Sequence, residues 1–177
     1  ILAEQIYPGE VDDTRHFYSL LDAFKELDDC YQLIIAGEPY GSFEPYQEQI
    51  DKSGCKDRIK LFPQYIKDSE VKKYFSAADV TVLPYRSATQ SGISSVSYHF
   101  EVPMIVTSVG GLKETIGDRG TGIVAEDVTP ECIRKEIERF FLDNGIKNSC
   151  IEHIRTEKER LSWSGFAGNL LSFAEKL

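Results

Sequence analysis

Two short stretches carry the residue types from which an anion site can be built. Thr89-Gln90-Ser91-Gly92-Ile93 is a small polar loop running into an apolar segment, and Gly110-Gly111-Leu112 is a flexible turn before another. A chain that enters a helix from such a loop leaves its first N–H groups without intrahelical partners, and the helix dipole adds partial positive charge beside them. Backbone donors of this kind hold phosphate without any charged side chain. Each loop alone also reads as ordinary turn and capping chemistry. Their succession, each behind an apolar run, points to two amide clusters near each other and to a ligand with two phosphates.

The elements that must hold these loops follow from periodicity. Residues 79–84 predict a strand before the first loop and 93–100 a helix after it; 104–107 predict a second strand and 112–116 a second, short helix. Phe17, Leu20, Leu21, Phe24 and Leu27 recur at helical spacing behind Thr14 or Asp13 as cap, so this helix lays one apolar face on a sheet. Residues 31–36 read as a strand broken by Gly37-Glu38-Pro39, 45–53 as a helix, 58–62 as a half-buried strand, and 69–77 as a helix opened by Asp68. A last strand falls at 122–125, and Thr129-Pro130-Glu131 is a cap, a first-turn proline and a first-turn acid for a helix to about 142. Two further helices, over 147–161 and 164–177, close the chain, and the opening residues 1–13 with their Pro8-Gly9 turn leave room for a first strand.

Strands alternating with helices imply an α/β fold, a Rossmann-like parallel sheet with helices on both faces. Ligands of such sheets sit at the carboxyl ends of the strands. Both loops lie at that rim, and so do Gly37 and Glu38.

Composition narrows the ligand. The 177 residues, 41% hydrophobic and 28% charged, suit one globular domain with a real core. Lys+Arg 20 against Asp+Glu 29 gives a net charge of -9, which excludes broad binding to nucleic acid or to an anionic membrane. A phosphate site must therefore be local. Cys30, Cys55, Cys132 and Cys150 form no C-x-x-C pair, which fits unreactive thiols in a reduced cytosolic setting, and no apolar run is long enough to span a bilayer. The opening segment already reads as mid-structure, which predicts a piece of a longer protein.

Several runs together resemble a known family. They are L-I-I-A-G-E from Leu33, R-I-K-L-F from Arg58, Y-F-S-A-A-D-V-T-V-L-P from Tyr74, P-M-I-V-T-S-V-G-G-L-K-E from Pro103, G-I-V from Gly122, and Ser162-Trp163. In order and spacing, over roughly residues 14–177, the chain resembles the C-terminal half of a family 4 (group 1) glycosyltransferase, the retaining two-domain GT-B type. The resemblance implies that residues 1–177 form one donor domain for a UDP- or GDP-linked sugar, with no metal or other cofactor. An absent N-terminal domain would hold an acceptor glycan or lipid-linked glycan, in the cytoplasm and peripheral to the inner membrane of a bacterium, for polysaccharide or lipopolysaccharide assembly. Residues 146–177 would pack towards that domain, leaving apolar surface around Trp163 and Phe166 exposed without it.

The resemblance also distributes roles. The family's lysine falls on Arg15, a guanidinium able to clamp a diphosphate bidentately, while Arg86 and Lys113 read as plain surface charges. The family's first glutamate, beside the transferred sugar, falls on Thr89. Its second, on the ribose hydroxyls, falls on Ser97 counted from Gly92 or on Val96 counted from Pro103. None of these is a carboxylate, so Thr89 and Gln90 would hydrogen-bond neutrally instead; Glu101, one turn on, reads as solvated. The amides of Gln90, Ser91, Gly92, Ile93, Gly110, Gly111 and Leu112 carry over directly. Glu114 matches the family's acid after the glycine pair and reads equally as a first-turn acid favoured by the dipole.

Two other classes stay open. One is a non-catalytic nucleotide-sugar-binding or regulatory domain, and the other an enzyme of the same superfold such as a nucleotide-sugar epimerase. The sequence has no D-x-D for a metal-bridged diphosphate, and its first strand–helix turn lacks the G-x-G-x-x-G of nicotinamide enzymes.

Overall fold

A computed structural model describes residues 1–4, 17–39, 42–89 and 91–175 of the chain. Arg15, His16 and Gln90 lie outside these, as do the Pro8-Gly9 turn and the Thr14 or Asp13 cap. Six strands form one sheet in the order β3-β2-β1-β4-β5-β6, every neighbouring pair parallel. They are β1 (Leu2–Glu4), β2 (Leu33–Ala36), β3 (Ile59–Phe62), β4 (Thr81–Leu83), β5 (Met104–Thr107) and β6 (Gly122–Ala125). The helices are α1 (Phe17–Lys25), α2 (Glu44–Lys52), α3 (Asp68–Ala77), α4 (Gly92–His99), α5 (Pro130–Leu142), α6 (Asn144–Arg160) and α7 (Trp163–Ala174). The strands are shorter than their apolar runs, because pairing stops where the chain bends into a loop.

Alternation along the strands sorts the core into two faces. Ala3, Val82 and Ile105 join α1, α2 and α5 on one side, where Leu20, Phe24, Ile50, Ile137 and Phe140 are buried. Leu83, Met104 and Val106 face the other way with Tyr85, Tyr98 and Ile154, and Leu2 packs there with Phe75 and Val102. Both faces are covered, so the strands read as continuous apolar runs rather than alternating ones. Full burial of one such Leu or Phe side chain stabilises by about 1.5–3 kcal/mol.

Leu2 of β1 pairs with Ile34 on one side and Thr81 on the other, so the sheet's winding reverses beside β1. That reversal opens a crevice at the carboxyl ends of the strands.

Helix α4 ends in a Schellman turn, with Glu101 N–H on the Tyr98 carbonyl and Val102 N–H on that of Ser97, both within 3.1 Å. Glu101 occupies the left-handed position that glycine usually takes, at φ 58°. It is not simply solvated. Its carboxylate takes Arg155 at 2.9 Å and Lys158 at 3.1 Å, and Lys158 also reaches the His99 carbonyl, so α6 is hooked onto the end of α4. Helix α6 buries Cys150, Ile154 and Glu157 against this domain, whereas α7 buries nothing and exposes Trp163, Phe166, Leu170 and Phe173. Among the described residues no helix is long and apolar enough to cross a membrane.

Candidate functional site

The two loops singled out in the sequence lie on adjacent strands and touch. A Cβ on Gly110 would fall 1.6 Å from the Ala88 carbonyl oxygen, and one on Gly111 would stand 3.0 Å from that of Thr89. Gly110 also has φ 52°, so glycine is required there on two counts. The predicted helix at 112–116 is instead a single wide turn, Lys113–Gly117. Its first residues still follow the glycine pair directly.

Beneath the corners Tyr85 joins them. Its ring is buried with Leu83, Met104 and Leu112, its carbonyl accepts the buried Thr107 hydroxyl from the end of β5, and its phenol lies 3.0 Å from Ser91 Oγ. Ser91 is the N-cap of α4 yet makes no side-chain cap bond. Gly92 is exposed, with nothing within 4 Å of where a Cβ would stand. In the first turn of α4 the Ser94 amide donates to the Ser91 carbonyl at 3.2 Å, whereas the amides of Gly92 and Ile93, like those of Gly110 and Gly111, donate to no described residue.

A cavity of about 250 Å³ adjoins this corner. Gly37 and Glu38 after β2 form one wall, Tyr65, Ile66 and Val71 around the start of α3 another, and Ile93 and Val96 of α4 the third. Its surface is mainly apolar, with Glu38 and Asp68 the acidic residues among those that line it. Ile93, in the first turn of α4, belongs to the corner and to the cavity alike.

The structure therefore unites Thr89, Ser91, Gly92, Ile93, Gly110 and Gly111 at one corner, and Gly37 and Glu38 with Ile93 around the neighbouring cavity. Glu114, Arg86 and Lys113 are exposed on the flanking turns. Two assignments are corrected. Ser97 is fully buried and hydrogen-bonds Thr81 Oγ1 at 3.3 Å, so it faces the sheet, and Val96 takes the cavity-facing position instead. Leu112 is also buried, and its amide donates to the Val109 carbonyl at 3.1 Å, which removes it from the set of open donors. The Gly37 amide is likewise engaged, by the Phe62 carbonyl. Nothing in the sequence marks Tyr65, Ile66, Asp68 or Val71 as a site residue; Asp68 reads there only as the opening of a helix. The position of Tyr65 after β3, at the same rim, was the available signal, and its ring is 66% exposed.

Residues 4–157 match the family described as glycosyl transferases group 1. The chain is 26% identical over 148 residues to a D-inositol 3-phosphate glycosyltransferase of Streptomyces bingchenggensis, covering 81% of this chain and 32% of that protein. A crystal structure of Anabaena HepE in complex with UDP superposes with a TM-score of 0.78 at 12% identity, over 99% of this chain and 49% of that one. The C-terminal domain of a group 1 glycosyl transferase from Francisella tularensis superposes at 0.74 with 14% identity, over 91% and 87%. The chain spans about a third of the length of the curated relatives it matches. The expected fold, the C-terminal half of a GT-B glycosyltransferase, is the one found.

Proposed function

Because the chain belongs to the glycosyl transferases group 1 family, we propose that this domain binds a UDP- or GDP-linked sugar and that the whole protein transfers the sugar to an acceptor with retention of configuration. The observation that carries the reading is the contact between the two corners, Gly110 against Ala88 and Gly111 against Thr89, in the loop that leads into α4. As the glycosidic bond loosens, charge builds on the leaving diphosphate. Fixed backbone donors and the positive end of α4 stabilise that charge with no reorganisation, and Arg15 adds a guanidinium. This chemistry needs no metal bridge, in keeping with a sequence that has no D-x-D.

The base enters the neighbouring cavity along Tyr65, Ile66 and Val71, and Glu38 and Asp68 are the carboxylates able to accept from ribose hydroxyls. Thr89, exposed at the corner, hydrogen-bonds the sugar, and Glu114 borders the second corner. The acceptor, a glycan or lipid-linked glycan, is held by the remainder of the protein. That remainder packs over the uncharged, apolar surface of α7 at Trp163, Phe166 and Leu170.

Thermal denaturation of the whole protein with UDP, GDP and their sugars tests the reading. Ligand at about 100 times its dissociation constant adds roughly 2.7 kcal/mol, or about 5–10 °C for a domain of this size. Selective stabilisation by one nucleotide names the base. A flat response to all of them overturns donor binding, and binding without turnover leaves a regulatory domain.

A further inference from the structure

We propose that Tyr85 is a positioning residue for the phosphate-binding turn of α4: its phenol holds the Ser91 hydroxyl away from the helix end, so that the amides of Gly92 and Ile93 stay open to ligand. The proposal rests on the donor-site reading above. Serine is among the best N-cap residues, and Ser91 has the extended backbone of a cap, φ -126° and ψ 124°. Among the described residues three other helices begin at a residue of capping type, and in each the side chain does cap. Thr129 accepts from the Cys132 amide, Asp143 from that of Gly145, and Ser162 from that of Gly165. Ser91 differs from all three, with its hydroxyl 3.0 Å from that of Tyr85.

The phenol has a fixed place from which to do this. Its ring is 4% exposed beneath both corners, and its backbone carbonyl is held by Thr107. Without the phenol oxygen, Ser91 Oγ rotates about one bond and accepts from the Ile93 amide, as Asp143 does from that of Gly145. A phosphate oxygen would then have to displace it. Only the backbone of Ser91 belongs to the site; its side chain is the group being restrained.

Tyr85→Phe keeps the ring and removes the hydroxyl. In the whole protein its affinity for UDP or GDP, whichever the wild type binds, is expected to fall about fivefold, the size of one N-cap hydrogen bond. Amide exchange at Ile93 slows at the same time. The double variant Tyr85→Phe/Ser91→Ala has no hydroxyl left to compete, and returns both affinity and exchange to wild-type values; a Tyr85 that merely packed the core would not be rescued by a second deletion. Equal affinity in wild type and Tyr85→Phe, or a double variant as weak as the single one, overturns the proposal. If the wild type binds neither nucleotide, exchange decides: first-turn slowing reversed by Ser91→Ala keeps the positioning role and discards the donor reading, and no slowing discards both.

Discussion

The two ends of α4 are built on opposite terms. At its last turn the polar groups are engaged: the Schellman bonds close the backbone, Lys158 takes the His99 carbonyl, and Glu101 is held by Arg155 and Lys158. At its first turn the backbone donors have no side-chain cap, although a serine stands in position to supply one. A cation at the negative pole and open amides at the positive pole both suit the dipole of one helix. Along eight residues one helix is thus secured at the end that α6 holds and left uncapped by any side chain at the other, where the proposed ligand would sit.

The comparison breaks most visibly at Gly110. In Gly110→Ala the new methyl collides with the Ala88 carbonyl in a left-handed backbone, so the corners must separate. We expect a loss of about 3 kcal/mol, or about 6–12 °C in Tm, and no detectable nucleotide binding. A variant that melts normally and binds normally would show that the corners do not act together.

Acid sharpens the comparison from the secured side. The Arg155 and Lys158 partners hold the Glu101 carboxyl below its ordinary value of 4.5, and Arg160, then Arg119, does the same for Glu157. Both carboxylates are favoured in their ionised form by folding. Their contribution is therefore fully present above about pH 4.5 and is lost as pH falls through the lower folded values. Tm measured from pH 6 to pH 3 should drop in that window, and the drop should be shallower in a Glu101→Gln/Glu157→Gln variant. An unchanged profile would remove the α6 clamp from the account.

The smallest effect is expected from Glu101→Gly. Relief of the left-handed backbone, about 1 kcal/mol, is offset by loss of the contacts to Arg155 and Lys158, so Tm should move by less than about 2 °C. A large drop would mean that the ion pairs, not the turn, hold the helix end.

Much of this arrangement was legible in the sequence, and the misses have physical causes. The strands and both corners follow from apolar runs interrupted by glycine, because each signal is local. The choice between Val96 and Ser97 was not open to counting, since Gly92 and Pro103 give registers one residue apart and only the packed helix says which side chain meets Thr81. Leu112 departs from expectation for a related reason: a turn's hydrogen bonds depend on its geometry, and here its amide folds back onto Val109. Tyr85 carries no local signal of its role, because an aromatic residue after a strand reads as core. Its role appears only once the loop returns Ser91 to it.

The central place of β1 carries a consequence for assembly. It is joined to β2 by three residue pairs but to β4 through Leu2 and Thr81, which lie far apart along the polypeptide. During synthesis, β3, β2 and β1 can pair while β4 is still unmade, leaving β1 as a bare edge with open hydrogen-bonding groups. Contacts of such long separation form slowly, on millisecond to second scales. A nascent chain paused at that stage is the form most exposed to misassembly and to chaperone capture.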